Sequence, residues 1–260
     1  VLLPAHELLL TPRRPFVELL DTRDSSNNPS TTYTFGNMRL GSLGCSPTSI
    51  LNIDAAEFPQ SRTRKYILVI VHSKDDATSF SATTCTIGGV GGIRVAEGAG
   101  LVALANVSMF LFGTNLLQNI TNTDVAVTFG EAITGAAVAI VGVDNVKNMA
   151  AAPVDSGTAT NDGTFSLALT LEESYYNQLM LMITTCLATS GSPESVSYSL
   201  VGGGFYPLDP LYEVNGNGFS FAAAWSWQPC YPGGAATASY ITAGATWSGA
   251  ANNRTIGLIF

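Results

Sequence analysis

With 260 residues the chain is long enough to bury a full core without disulfide or metal staples, and 46% of it is hydrophobic while only 12% is charged. That charged share is about half the usual globular value, which fits surfaces covered by neighbours or by neutral polar groups rather than a freely soluble metabolic enzyme. The net charge of −8 argues against nucleic acid as a partner, and no apolar run approaches the roughly 20 residues of a membrane span.

Residues 1–30 differ from everything after them. Apolar and charged residues mix there without a period of two, in Pro4-Ala5-His6-Glu7-Leu8-Leu9-Leu10 and Phe16-Val17-Glu18-Leu19-Leu20, and Pro12 and Pro15 forbid one long helix. Two short helical turns or an extended arm suit this stretch, with Asp24-Ser25-Ser26-Asn27-Asn28-Pro29-Ser30 as a linker. Residues 8–10 are too short for a signal-peptide core, so the expectation is a protein made in a cytoplasm, its initiator Met removed. The arm either packs on its own domain or docks on a neighbour.

A β domain is expected over residues 31–260. Tyr33 and Phe35 suggest a short strand, and residues 40–57 read as irregular. Arg62, Arg64 and Lys65, the largest basic cluster, read as a solvated strand entrance. Residues 66–71 (Tyr-Ile-Leu-Val-Ile-Val) are apolar on both parities, which predicts a central strand covered on both faces. Further strands are predicted near 83–87, 102–112, 124–129, 136–143, 164–171, 178–187, 195–201, 218–227, 239–246 and 255–260. Glycine-rich turns separate most of them, among them Gly88-Gly89, Gly202-Gly203-Gly204 and Gly216-Asn217-Gly218. About ten short strands and no convincing amphipathic helix predict an all-β, jelly-roll-like antiparallel β-sandwich. No internal repeat, heptad or collagen triplet points to a propeller or fibre shaft.

Chemistry is sparse, and no catalytic, cofactor-binding or metal site is assigned. His72 is followed by Ser73, Asp75 and Asp76, but neighbours on a strand point to opposite faces and a triad is assembled from separated segments. His72 is therefore expected to be a strand-end residue bonded to a loop, and His6 a weaker candidate in the arm. Asp54, Glu57, Asp75 and Asp76 could supply a carboxylate pair for sugar hydrolysis, yet adjacent acids usually mark a solvated turn. Asp155-Ser156-Gly157 and Asn161-Asp162-Gly163 lack the acid spacing of a calcium loop and read as Asx turns. The Gly88-Gly89-Val90-Gly91-Gly92 cluster lacks the Lys and helix of a phosphate cradle. Cys45, Cys85, Cys186 and Cys230 form no CxxC pair, and four thiols are favoured over any bridge. Phe219, Phe221, Trp225 and Trp227 share parity, which addresses them to a core; Tyr206, Tyr212 and Tyr231 are freer to stack on sugars.

The order of these segments resembles a known family. A basic entrance and apolar strand (Arg64 to His72) leads to a Thr-rich strand ending Thr86-Ile87-Gly88-Gly89, then to 125–129, 136–143, 219–227 and a terminal Gly257-Leu258-Ile259-Phe260. This layout, over roughly residues 60–260, is similar to β-sandwich domains of virion proteins of tailed bacteriophages, in tail fibres, tail-tip proteins and head decorations. The resemblance implies a non-enzymatic structural role without cofactor, a homo-oligomer (often a trimer), and attachment to other virion proteins through residues 1–30. It also implies a possible host-surface glycan as partner, and a location in the virion after assembly in the host cytoplasm. A head decoration or spike is the nearest alternative, followed by a carbohydrate-binding module and then a glycan-cleaving hydrolase.

Overall fold

The computed structural model describes residues 15–40, 46–48, 65–75, 80–98, 105–115, 122–144, 155–159, 164–170, 178–188, 196–201, 208–216, 219–228, 240–247 and 251–260. Every element among them is a strand, and all pairings are antiparallel, so the all-β, sandwich-like expectation holds.

The first half of the chain builds one eight-stranded sheet. Its strands are β1 (Phe16–Arg39), β2 (Ser46–Thr48), β3 (Lys65–Lys74), β4 (Ala82–Ile87), β5 (Val90–Gly91), β6 (Ile93–Glu97), β7 (Ala105–Asn115) and β8 (Asn122–Asp144). β8 organises the rest. Its whole length pairs with β1 on one side, while on the other its start pairs with β4 and its end with β3. β3 in turn pairs with β7, and β7 with β6 and β2.

This sheet curls until it nearly closes. Where β4 meets β6, the Gly92 N–H donates to the Cys85 carbonyl (2.9 Å) and an Arg94 guanidinium N–H donates to the Ala82 carbonyl (3.1 Å). The Ala82 N–H finds the Ser108 hydroxyl of β7 at 3.0 Å. At the opposite gap β1 bends so far that its two ends meet. Asp21 accepts there from the Arg39 N–H (3.0 Å) and the Thr22 N–H (2.8 Å). Side chains thus satisfy backbone donors where the strand ladder stops. At the bend itself, the buried Tyr33 hydroxyl donates to the Ile133 carbonyl (2.6 Å), with the Asn28 carbonyl at 3.0 Å.

Two further sheets come from the second half. β13 (Asp209–Gly216), β14 (Phe219–Gln228), β11 (Gln178–Ala188), β16 (Ala251–Ile259) and β9 (Asp155–Ala159) form a five-stranded sheet in that order. β10 (Thr164–Thr170), β15 (Tyr240–Trp247) and β12 (Val196–Val201) form a three-stranded one.

The two-fold alternation of β3, β7 and β8 divides their side chains between two cores. Ile67, Val69, Val71, Phe110, Phe112, Val138 and Ile140 point into the curled sheet, where they meet Tyr33, Phe35, Met38, Cys85, Val125, Val127 and Phe129. Tyr66, Leu68, Ile70, Val107, Met109, Leu111, Ala139 and Val141 point the other way, onto Leu179, Leu181, Ile183, Phe221, Trp225, Ile256 and Leu258 of the five-stranded sheet. Residues 66–71 are therefore covered on both faces, as their unbroken apolar run predicts. Each large side chain so buried contributes about 1.5–3 kcal/mol.

Several expectations are corrected. Residues 16–30 are not an irregular arm and linker but the first part of a 24-residue strand that runs through the expected boundary at 30. Register shifts at Leu19/Asp21, Ser26/Ser30 and Ser30/Thr32 change which parity faces inward, and so hide the strand from a period-two reading. Pro15 sits just ahead of the strand and Pro29 within a shift, where a missing N–H is tolerated. The strands expected at 124–129 and 136–143 are one, continuous through Gly130 and Gly135. Asp155-Ser156-Gly157, expected as an Asx turn, begins β9 and pairs with β16. β2 falls in a region expected to be irregular, and β5, β6 and β13 were not anticipated; all are short or interrupted by Pro or Gly. Gly88-Gly89 does make the predicted turn: φ values of +56° and +83° give the double left-handed geometry of a tight hairpin between β4 and β5.

Candidate functional site

The densest polar chemistry among the described residues surrounds His72. β3 runs Tyr66, Leu68, Ile70, His72 along one face, so the period that buries three apolar side chains delivers an imidazole to the far end of the same interface. His72 is fully buried. Its Nδ1 lies 2.6 Å from the Thr185 hydroxyl of β11, and its Nε2 2.9 Å from the Tyr212 hydroxyl of β13. A neutral ring donates from one nitrogen and accepts at the other, and each hydroxyl can play either part. The ring stacks on Phe221 of β14 (centroids 4.6 Å, interplanar 27°) and meets Tyr212 edge-on at 5.9 Å. Thus one strand of the curled sheet is tied to three strands of the facing sheet.

Burial sets the electrostatics. It lowers the His72 pKa to about 3, because the charged ring would be stripped of water, and so the imidazole is neutral at pH 7. The same cause raises the Tyr212 phenol well above its ordinary value. Arg254 of β16, the cross-strand partner of Thr185, is buried as well, and desolvation lowers its pKa. Its stem lies over Gly98, where a Cβ would come within 2.6 Å of the Arg254 Cγ and of the Asn106 Oδ1.

A second hydroxyl cluster lies on the opposite face of the five-stranded sheet. Thr184 of β11 meets the Thr255 hydroxyl at 2.8 Å and the Tyr198 hydroxyl of β12 at 3.0 Å. Burial raises the Tyr198 pKa. Thr184 and Thr185, consecutive on β11, so anchor the central sheet to layers on both sides.

The sequence candidates are scattered by this fold. His72 is not bonded to a loop, as expected, but to side chains of two strands in the facing sheet, because its parity is that of the interface. Ser73 points the other way, its hydroxyl donating to the Phe80 carbonyl at 2.8 Å. Tyr212, expected to be free for sugar stacking, is buried against His72 and Phe221. Phe221 and Trp225 lie in the core as their parity predicts, with Trp227 packed against it. Cys85 is a free, buried thiol whose pKa burial raises. Lys65 opens β3, and the Gly88–Gly92 cluster is a hairpin. His6, Asp54, Glu57, Arg62, Arg64, Asp76, Asn161-Asp162-Gly163, Tyr206 and Tyr231 lie outside the described residues, as do Cys45 and Cys230. Among the described residues no three His, Cys, Asp or Glu side chains gather as metal ligands. Thr184 and Thr185 were missed, since a Thr pair in an apolar strand carries no signal of its own.

What this arrangement does chemically is hold two sheets in register. The ring is enclosed, both nitrogens are engaged, and the groups it touches are hydroxyls and an aromatic face. No family model, curated protein or solved structure matches the chain.

Proposed function

We propose that the protein is a structural component of a tailed-bacteriophage virion, tail-associated or of fibre type, acting as a rigid assembled block rather than as a catalyst. The observation that carries this reading is the character of the outward face of the curled sheet. Across β1, β8 and β4 the positions that alternate with the buried core form rungs Thr32–Thr128–Thr84 and Thr34–Ala126–Thr86, without a charge in either. Over these two rungs a neutral, hydroxyl-and-methyl surface suits lasting contact with neighbouring subunits, in keeping with the charge-poor composition.

In this reading the docking segment is shorter than residues 1–30. Residues 16–30 hold one side of β8, and the proposal assigns attachment to other virion proteins to residues 1–14. They lead directly into Phe16, which is 52% exposed and the one large exposed hydrophobic side chain among the described residues. Homo-oligomers would bring several such segments to one particle.

Removing residues 1–14 from the chain in an assembling phage tests this. The expected result is a folded body, by circular dichroism and cooperative melting, that no longer co-purifies with particles. A truncated chain that still joins the particle in full would overturn the docking role. A full-length chain absent from purified particles would overturn the virion reading altogether.

A further inference from the structure

The seam between the two halves of the chain is closed by a group that can accept a proton. Residues 16–144 make the curled sheet with its own enclosed core, while residues 155–260 supply the sheet packed on its outer face. His72 belongs to the first half, and its partners Thr185, Tyr212 and Phe221 to the second. We propose that this seam is an acid-operated latch: protonation of His72 favours separation of the five-stranded sheet from the curled sheet, whose own core persists.

Geometry supplies the argument. A second proton on the ring creates a cation in a fully buried site. Thr185 and Tyr212 could accept from both ring N–H groups, but neither brings a negative charge. Among the described residues the buried charged side chain is a cation. From the facing sheet comes Arg254, buried on β16 as the cross-strand partner of Thr185. From His72's own strand comes Lys74, on the same parity. β13 presents Tyr212, a neutral phenol, while its carboxylates Asp209 and Glu213 are exposed. β7, β8, β11 and β14 present Val107, Ala137, Thr185 and Phe221, none of which titrates.

The sign follows. Burial holds the folded-state pKa near 3, below the ordinary 6.5 that the ring recovers once the seam opens. The seam is therefore fully latched above about pH 6.5, and loses stability as pH falls from there toward 3. One proton taken up on opening raises the opening constant by up to about tenfold per pH unit, hence about fiftyfold between pH 6.5, where the open-state ring is half protonated, and pH 4.5. The sequence has two histidines, His6 and His72, so a His6→Gln background leaves one imidazole to titrate in that window.

The test places one reporter in each core of the full-length chain. Ala223, 1% exposed in the seam, is replaced by Cys; Cys85, 1% exposed inside the curled sheet, is the native reference. Labelling with 4,4′-dithiodipyridine, which reacts at acid pH, is resolved by peptide mapping and corrected for intrinsic thiol reactivity. The expected result is an about fiftyfold faster reaction at the seam at pH 4.5 than at pH 6.5, Cys85 unchanged, and a flat profile after His72→Gln. Equal rates at both pH values, both thiols accelerating together, or the same acceleration in His72→Gln would each overturn the latch. Should His72→Gln fail to fold, the imidazole 15N shifts of the unsubstituted chain decide. A ring still neutral at pH 4.5 supports the proposal, and one that titrates near 6.5 overturns it.

Discussion

The two cores of this protein are lined by the same three strands and yet differ in kind. Inside the curled sheet, β3, β7 and β8 contribute Ile67, Val69, Phe110, Phe112 and Val138 to an interior with bulky aromatics, where, among the described residues, the one titratable group besides Tyr33 is the thiol of Cys85. On the outer face they contribute Leu68, Ile70, Met109, Ala139 and Val141, and the interface ends in His72, Tyr212 and Arg254. One core encloses itself; the other joins two halves of the chain and carries polar groups that hold only when neutral or paired. A single alternation thus builds a permanent interior and a conditional one.

Substitutions can break this contrast in graded ways. The largest effect is expected from Phe110→Ala, which empties an aromatic site inside the curled sheet and should cost about 3–5 kcal/mol in denaturant-induced unfolding. Leu68→Ala on the other face of β3's ladder should cost about 2–5 kcal/mol. Its effect should fall first on Trp225 fluorescence, because Trp225 lies in the same core. His72→Phe leaves the Thr185 and Tyr212 hydroxyls buried without the ring nitrogens, at about 1–3 kcal/mol each. Adding Tyr212→Phe should recover part of that loss, an outcome that a purely steric role for His72 would not give. Tyr33→Phe, which removes the donor at the β1 bend, should cost about 1 kcal/mol. A comparable effect, about 1 kcal/mol, is expected from Gly88→Ala, because its φ of +56° strains any residue with a Cβ and the new Cβ would come 2.9 Å from the Thr123 Oγ1. Thermal denaturation read by circular dichroism ranks all of these.

How much of this was legible in the sequence follows the same division. Residues 66–71 announce a doubly covered strand because both parities are apolar, and Phe221 and Trp225 announce a core by shared parity. Gly88-Gly89 announces its hairpin because only residues without a Cβ take both left-handed positions readily. β1 is illegible because four register shifts scramble its alternation, and because its polar stretch Asp24–Ser30 is paired through backbone groups that any sequence carries. The His72 cluster was half legible: parity sets the face of the ring, but Thr185 and Tyr212, 113 and 140 residues away, are brought to it only by packing of sheets. The virion reading comes from segment order and charge economy, and no single residue carries it.

Native-state amide hydrogen exchange at pH 7 tests the shared wall most directly. The account predicts that β3 and the amides of residues 107–111 in β7, covered on both faces, exchange slowest and only through global unfolding. β4 and the first part of β8, with one face toward solvent, should exchange measurably faster. Amides of β3 exchanging as fast as those of β4 would contradict a wall buried between two cores.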